Sequence, residues 1–81
     1  MQIAMINAHK ATVLDAKIGA RLKALRLKKS ISEGESAAAA DLTLLEYRNC
    51  EAGSRRASSH ELFLVARLLR VSMTDIFAAL D

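Results

Sequence analysis

The sequence has no proline, few aromatic residues and a single cysteine, Cys50. Without proline, no position forces a helix to break or kink. A lone cysteine excludes an internal disulfide and a cysteine metal cluster, and a reduced, intracellular setting follows. No apolar run approaches the length of a membrane span. The opening MQIAMINAHKATVL is apolar but interrupted by Asn7, His9 and Lys10. It lacks the basic start and long apolar stretch of a signal peptide. A cytoplasmic chain with no membrane partner is therefore expected.

What is present favours helix. Ala, Leu, Arg and Lys dominate the 81 residues, and these prefer helix to strand. A chain of this length makes one small domain, burying about two-thirds of its unfolded surface or less. Its stability is modest and gains from association. The net charge of +3 and pI near 9.4 are compatible with a nucleic-acid partner without requiring one.

Four capping boxes punctuate the chain: Ser32 with Glu35, Thr43 with Glu46, Ser58 with Glu61, and Ser72 with Asp75. In each, the hydroxyl accepts from an orphan N–H of the first turn and the acid reaches back to the cap's own N–H. One match is weak, but four in order each announce a helix. The helices expected are about Ala16 to Lys28, Glu33 to Ala40, Leu44 to Glu51, Ser59 to Leu69, and Met73 to about Leu80. Ile18, Leu22 and Leu25 form the inner stripe of the first. Leu62, Val65, Ala66 and Leu69 form that of the fourth, and Ile76 and Phe77 anchor the fifth. Asp41 suits a left-handed turn and Gly53 a helix C-cap. Residues 1–14 read as an N-terminal arm: an extra short helix, a strand-like arm or a frayed end. The domain then spans 15–81.

From Ile18 to Phe77, roughly three-quarters of the chain, the sequence resembles the Xre family of helix-turn-helix regulators, the group of the phage lambda-type repressor and Cro. "IGARLKALRLKKSIS" looks like the family's first helix and the entry to its second. Ala37, Asp41, Tyr47 and Cys50 stand where the family's two-helix unit has a small crossing residue, a turn residue and two apolar ones. "RNCEAGSRR" resembles the end of its third helix, and "ELFLVARLLRVSMTDIF" its fourth and fifth. The resemblance implies an all-α, five-helix lambda-repressor-like DNA-binding domain with a helix-turn-helix. Arg26 and Glu51 fall where members often carry a buried pair linking helices one and three, a structural role.

Catalysis needs a nucleophile with a base, or a paired acid and base, in a pocket. His9 and His60 have no triad or metal spacing, Cys50 reads as a small buried hydrophobe, and there is no glycine-rich phosphate loop. No enzyme, cofactor or metal is expected. This fold reads DNA by placing helix three in the major groove. The resemblance assigns base-facing roles to Leu44, Leu45 and Asn49, with Glu46 and Arg48 beside them. Asn49 can pair with adenine and Arg48 with guanine or a phosphate. Lys28, Lys29, Arg55 and Arg56 are the phosphate candidates. Double-stranded DNA is the expected partner, bound by a homodimer joined through Met73, Ile76, Phe77 and Leu80, with or without the apolar N-terminal arm.

One feature departs from the family. Glu33 stands where members commonly offer glutamine to a phosphate, and between Ser30 and Tyr47 there are four acids and no base. Capping accounts for Glu35 and Glu46, and first-turn acids suit the helix dipole. Glu33 and the two leucines remain. They support a second reading, a helix-turn-helix turned protein-interaction module, antiactivator or antitoxin-like, offering the Leu44–Leu45 face to a regulatory protein partner.

Overall fold

The structure is a computed structural model that describes residues 11–80. Most of the expected N-terminal arm, with His9, lies outside the described residues. Five α-helices follow: α1 (Val13–Lys28), α2 (Glu33–Ala39), α3 (Leu44–Ala52), α4 (Ser59–Leu69) and α5 (Met73–Phe77), closed by a 3-10 turn over Ala78–Leu80. Among the described residues there is no strand. The expected all-helical class is what the chain adopts.

All four expected capping boxes form, with hydroxyl and carboxylate both engaged. A fifth opens α1, which starts at Val13 rather than about Ala16. Thr12 Oγ1 accepts from the Asp15 N–H at 3.2 Å, and Asp15 Oδ2 accepts from the Thr12 N–H at 2.8 Å. The pattern is the same hydroxyl-x-x-acid, with Thr12 in the stretch read as an arm and Asp15 just beyond it. α2 ends at Ala39 and α5 at Phe77, each slightly short of expectation. Helices of five and seven residues are too short to persist alone in water, so the caps and the core hold them.

The core gathers one side of every helix. Leu22 and Leu25 of α1, Ala37 of α2, Tyr47 of α3, Leu62, Val65, Ala66 and Leu69 of α4, and Ile76 of α5 are all buried, with Ala40 between α2 and α3. The inner stripes expected for α1 and α4 are the ones observed, with Ile18 partly buried against the core. Ile76, expected at a dimer surface, is completely buried within this chain's own core. It offers nothing to a second copy.

The α2–turn–α3 unit is set by its backbone. Asp41 takes φ 58°, the left-handed conformation expected of it, and Gly53 ends α3 at φ 83°. α3 is drawn against α1 by a close approach that the sequence did not announce. At Gly19 a Cβ would lie 2.2 Å from the Cys50 carbonyl oxygen and 2.5 Å from that of Glu51. Glycine is thus required there for proximity. One turn pair further along, Arg26 and Glu51 form the expected buried pair. Arg26 Nε donates to Glu51 Oε2 at 2.6 Å and Nη2 to Oε1 at 3.1 Å. Arg26 Nη1 also donates to the Ile31 carbonyl at 2.9 Å, holding the α1–α2 connection. At the other side of the domain, Arg21 Nε donates to the Asp75 carbonyl at 2.9 Å, tying α5 to α1.

Candidate nucleic-acid interface

α3 carries the residues expected to meet DNA. Its inward side is occupied by Tyr47, Cys50 and Glu51, all buried. The outward side is left uncovered. Leu45 is 68% exposed and Leu44 41%, with Glu46, Arg48 and Ala52 exposed beside them and Asn49 half-buried. Residues three and four apart share a helix face, so Leu44, Leu45, Arg48 and Asn49 form one continuous patch over the first two turns.

The polar members of the patch are not equally free. Glu46 accepts from the Thr43 N–H at 2.9 Å. Those cap bonds from the Thr43 backbone and hydroxyl hold its carboxyl below the usual range, so its charge belongs to the helix start. Asn49 contributes its backbone carbonyl to the end of α3, accepting from the Ser54 and Arg55 N–H groups at 3.0 and 3.1 Å. Arg48 Nε donates to Glu33 Oε1 at 3.1 Å, an ion pair that joins the start of α2 to the middle of α3. This contact gives Glu33 a partner, which capping alone could not.

The four basic candidates for phosphate separate into two kinds. Lys28 and Lys29 are exposed at the end of α1. Arg55 is engaged inside the fold: its guanidinium grips both Glu61 oxygens at 2.9 and 3.2 Å and donates to Cys50 Sγ at 3.2 Å. That clamp holds the Glu61 carboxyl below its ordinary range. Burial pushes the Cys50 thiol up, against the pull of Arg55. Arg56 pairs with Asp15 at 3.0 Å, yet its side chain stays 61% exposed. The Asp15 carboxyl, lowered first by this bond, therefore serves both the α1 cap and the α3–α4 loop. Neither contact was visible in the sequence, since Arg55–Glu61 and Arg56–Asp15 obey no helical spacing.

Of the four residues expected at a dimer surface, Met73 is half-buried against the core and Ile76 is inside it. Phe77 and Leu80 are each 37% exposed. They line an open, largely apolar hollow of about 350 Å³ together with Leu14, Ile18 and Leu62. Leu14, read as part of the arm, lines this hollow with them. His60 is exposed in the first turn of α4. Among the described residues no group of three His, Cys, Asp or Glu side chains converges as a metal site. No described helix is long and apolar enough to cross a membrane.

A short α2, a left-handed turn and an α3 with one buried and one uncovered side make a helix-turn-helix unit. Solved structures of regulator proteins share the fold. The clp gene regulator ClgR from Corynebacterium glutamicum superposes with a TM-score of 0.80 at 26% identity, covering 85% of this chain and 73% of that one. The restriction-modification controller protein C.AhdI from Aeromonas hydrophila gives 0.72 at 27% identity, over 78% of this chain and 96% of that one. The wild-type controller protein C.Esp1396I gives 0.73 at 26% identity, over 85% and 91%. No family model and no curated protein matches the chain.

Proposed function

We propose that the protein is a DNA-binding transcriptional regulator of the cytoplasm, acting as a small homodimer on a palindrome-like operator. The observation that carries this reading is the uncovered face of α3, held at the surface of a fold shared with a gene regulator and controller proteins. In this reading α3 lies in the major groove. Asn49 and Arg48 supply hydrogen bonds to base edges, and Leu44 and Leu45 meet thymine methyl groups. Lys28 and Lys29, with the exposed Arg56, supply phosphate contacts. Two copies join through Phe77 and Leu80 over the hollow that these residues line, setting their α3 helices about one helical turn of DNA apart.

The test is binding of the chain to duplex fragments from around its own gene across a salt series. Six to ten phosphate contacts shared by a dimer entail roughly a thousandfold loss of affinity between about 50 and 200 mM salt. Negligible binding with no salt dependence refutes the reading. Lys28→Ala with Lys29→Ala lowers affinity for all sequences alike, whereas Asn49→Ala relaxes a base preference. Arg55 is unsuited to such a test, because its removal strips Glu61 and Cys50 of a partner inside the fold.

A second reading rests on a specific observation. Three of the basic residues near α3 are paired with acids of the same chain, Arg48 with Glu33, Arg55 with Glu61 and Arg56 with Asp15, while Leu45, an apolar side chain on the outward side of α3, is 68% exposed. A protein-interaction module offering Leu44 and Leu45 to a regulatory partner fits that distribution. If Leu45→Asp abolishes function and the lysine and Asn49 variants change nothing, this second reading replaces the first.

A further inference from the structure

We infer that Glu33 is a positioning residue for Arg48, holding its guanidinium so that α3 discriminates guanine at one base position. The inference deepens the DNA-binding reading and rests on it.

An arginine carries five N–H donors in a planar fork, and bidentate pairing to guanine uses the outer edge of that fork. Arg48 Nε, on the inner edge, donates to Glu33 Oε1 at 3.1 Å. Among the described residues, its Nη1 and Nη2 groups have no partner. The bond therefore restrains the long side chain while leaving the recognition edge unoccupied. Arg48 stands one turn beyond Leu44 and three residues beyond Leu45, on the uncovered side of α3, and its side chain is 56% exposed. Glu33 is anchored as the first residue of α2, behind the Ser32 cap. A flexible side chain loses rotamer entropy when it docks. An arginine already restrained loses less.

Glu33 also has an opposite effect. Its negative charge lies beside the surface that would face phosphates, where it opposes DNA of any sequence. The residue thus exchanges general affinity for discrimination. The two effects separate chemically. Glu33→Gln removes the charge and keeps an oxygen that can accept from Arg48 Nε. Glu33→Ala removes both. Arg48→Lys keeps a cation and loses the fork.

The experiment selects sites from a pool of randomised DNA duplexes with the full-length chain and these three variants, and measures affinity for an unselected duplex in parallel. Circular dichroism melting checks that each variant is folded. The wild type enriches guanine at one position of each half-site, by roughly tenfold over the other bases. Arg48→Lys and Glu33→Ala lose that enrichment, while Glu33→Gln retains most of it. Both Glu33 variants bind the unselected duplex more tightly than the wild type. Glu33→Ala enriching guanine as strongly as the wild type overturns the inference, as does Arg48→Lys retaining the preference. A wild-type chain that enriches no sequence and binds no duplex overturns the DNA-binding reading itself, and this inference with it.

Discussion

Gly19→Ala should destabilise the domain, although alanine is the better helix former. In an open helix the exchange gains about 1 kcal/mol. At Gly19 the added Cβ would sit 2.2 Å from the Cys50 oxygen and 2.5 Å from the Glu51 oxygen. Ordinary carbon–oxygen contacts are about 3.3 Å or longer, so α1 must retreat from α3 by roughly 1 Å. Both obstacles are backbone, and no side-chain rotation relieves them. Overpacking of this kind costs about 1–3 kcal/mol or more, and the retreat also pulls on the Arg26–Glu51 pair, closed at 2.6 Å. The net expectation is a loss of about 2 kcal/mol, which lowers Tm by roughly 8–16 °C in a domain of this size. Gly34→Ala is the control. Its Cβ would meet only Ser32 Oγ, at 3.9 Å, so up to about 1 kcal/mol of stability is gained. Both are read by thermal melting at one fixed protein concentration, since association shifts Tm. A Gly19→Ala variant as stable as the wild type would refute the close approach of α1 to α3.

Other substitutions probe the buried polar groups. Arg26→Met should cost about 3–5 kcal/mol by stranding Glu51, and adding Glu51→Leu should recover most of it. The recovery stays incomplete, because the Ile31 carbonyl still lacks its donor; urea denaturation of the single and double variants checks both statements. Among the described residues, Tyr47 Oη and Ser36 Oγ are buried without a hydrogen-bond partner, and burial raises the Tyr47 hydroxyl far above its ordinary pKa. Tyr47→Phe should therefore be neutral or stabilising by up to about 1 kcal/mol, and a clear loss in the same assay would show a bond there. Asp15 is lowered chiefly by its bond from Arg56, and Glu35, Asp75 and Glu46 chiefly by cap bonds from the backbone. Groups lowered in the folded state stabilise it above their unfolded pKa values and lose that effect as pH falls through the folded ones. Urea midpoints should thus hold from neutral pH to near the ordinary carboxylate values of 4.5 and 3.8, then fall steadily with further acid. A midpoint unchanged to about pH 3 would contradict that linkage.

Much of the fold was legible because helix signals are local. A hydroxyl and an acid three residues apart suffice to open a helix, and all four boxes read in advance formed. The fifth, Thr12 with Asp15, was the same signal straddling the end of the stretch read as an arm. The inner stripes of α1 and α4 followed from their period, and Arg26 with Glu51 from the resemblance. The candidate site was less legible. That Leu44 and Leu45 would sit on α3 was clear, but their degree of cover was not. Arg55 and Arg56 looked alike in sequence. One proved to be a clamp on Glu61, the other an exposed partner of Asp15, since each is decided by what lies across the fold.

By itself, the sequence determined the helical class, the order of the helices and the turn at Asp41, all through interactions spanning a few residues. Tertiary structure decided the rest, beyond the partners of Arg55 and Arg56. It set Gly19 against the α3 backbone, it drew Ile76 into the core and left Phe77 and Leu80 outside, and it closed Glu33 onto Arg48. These depend on distances between segments far apart in the chain, which arise only when the helices pack around a shared core.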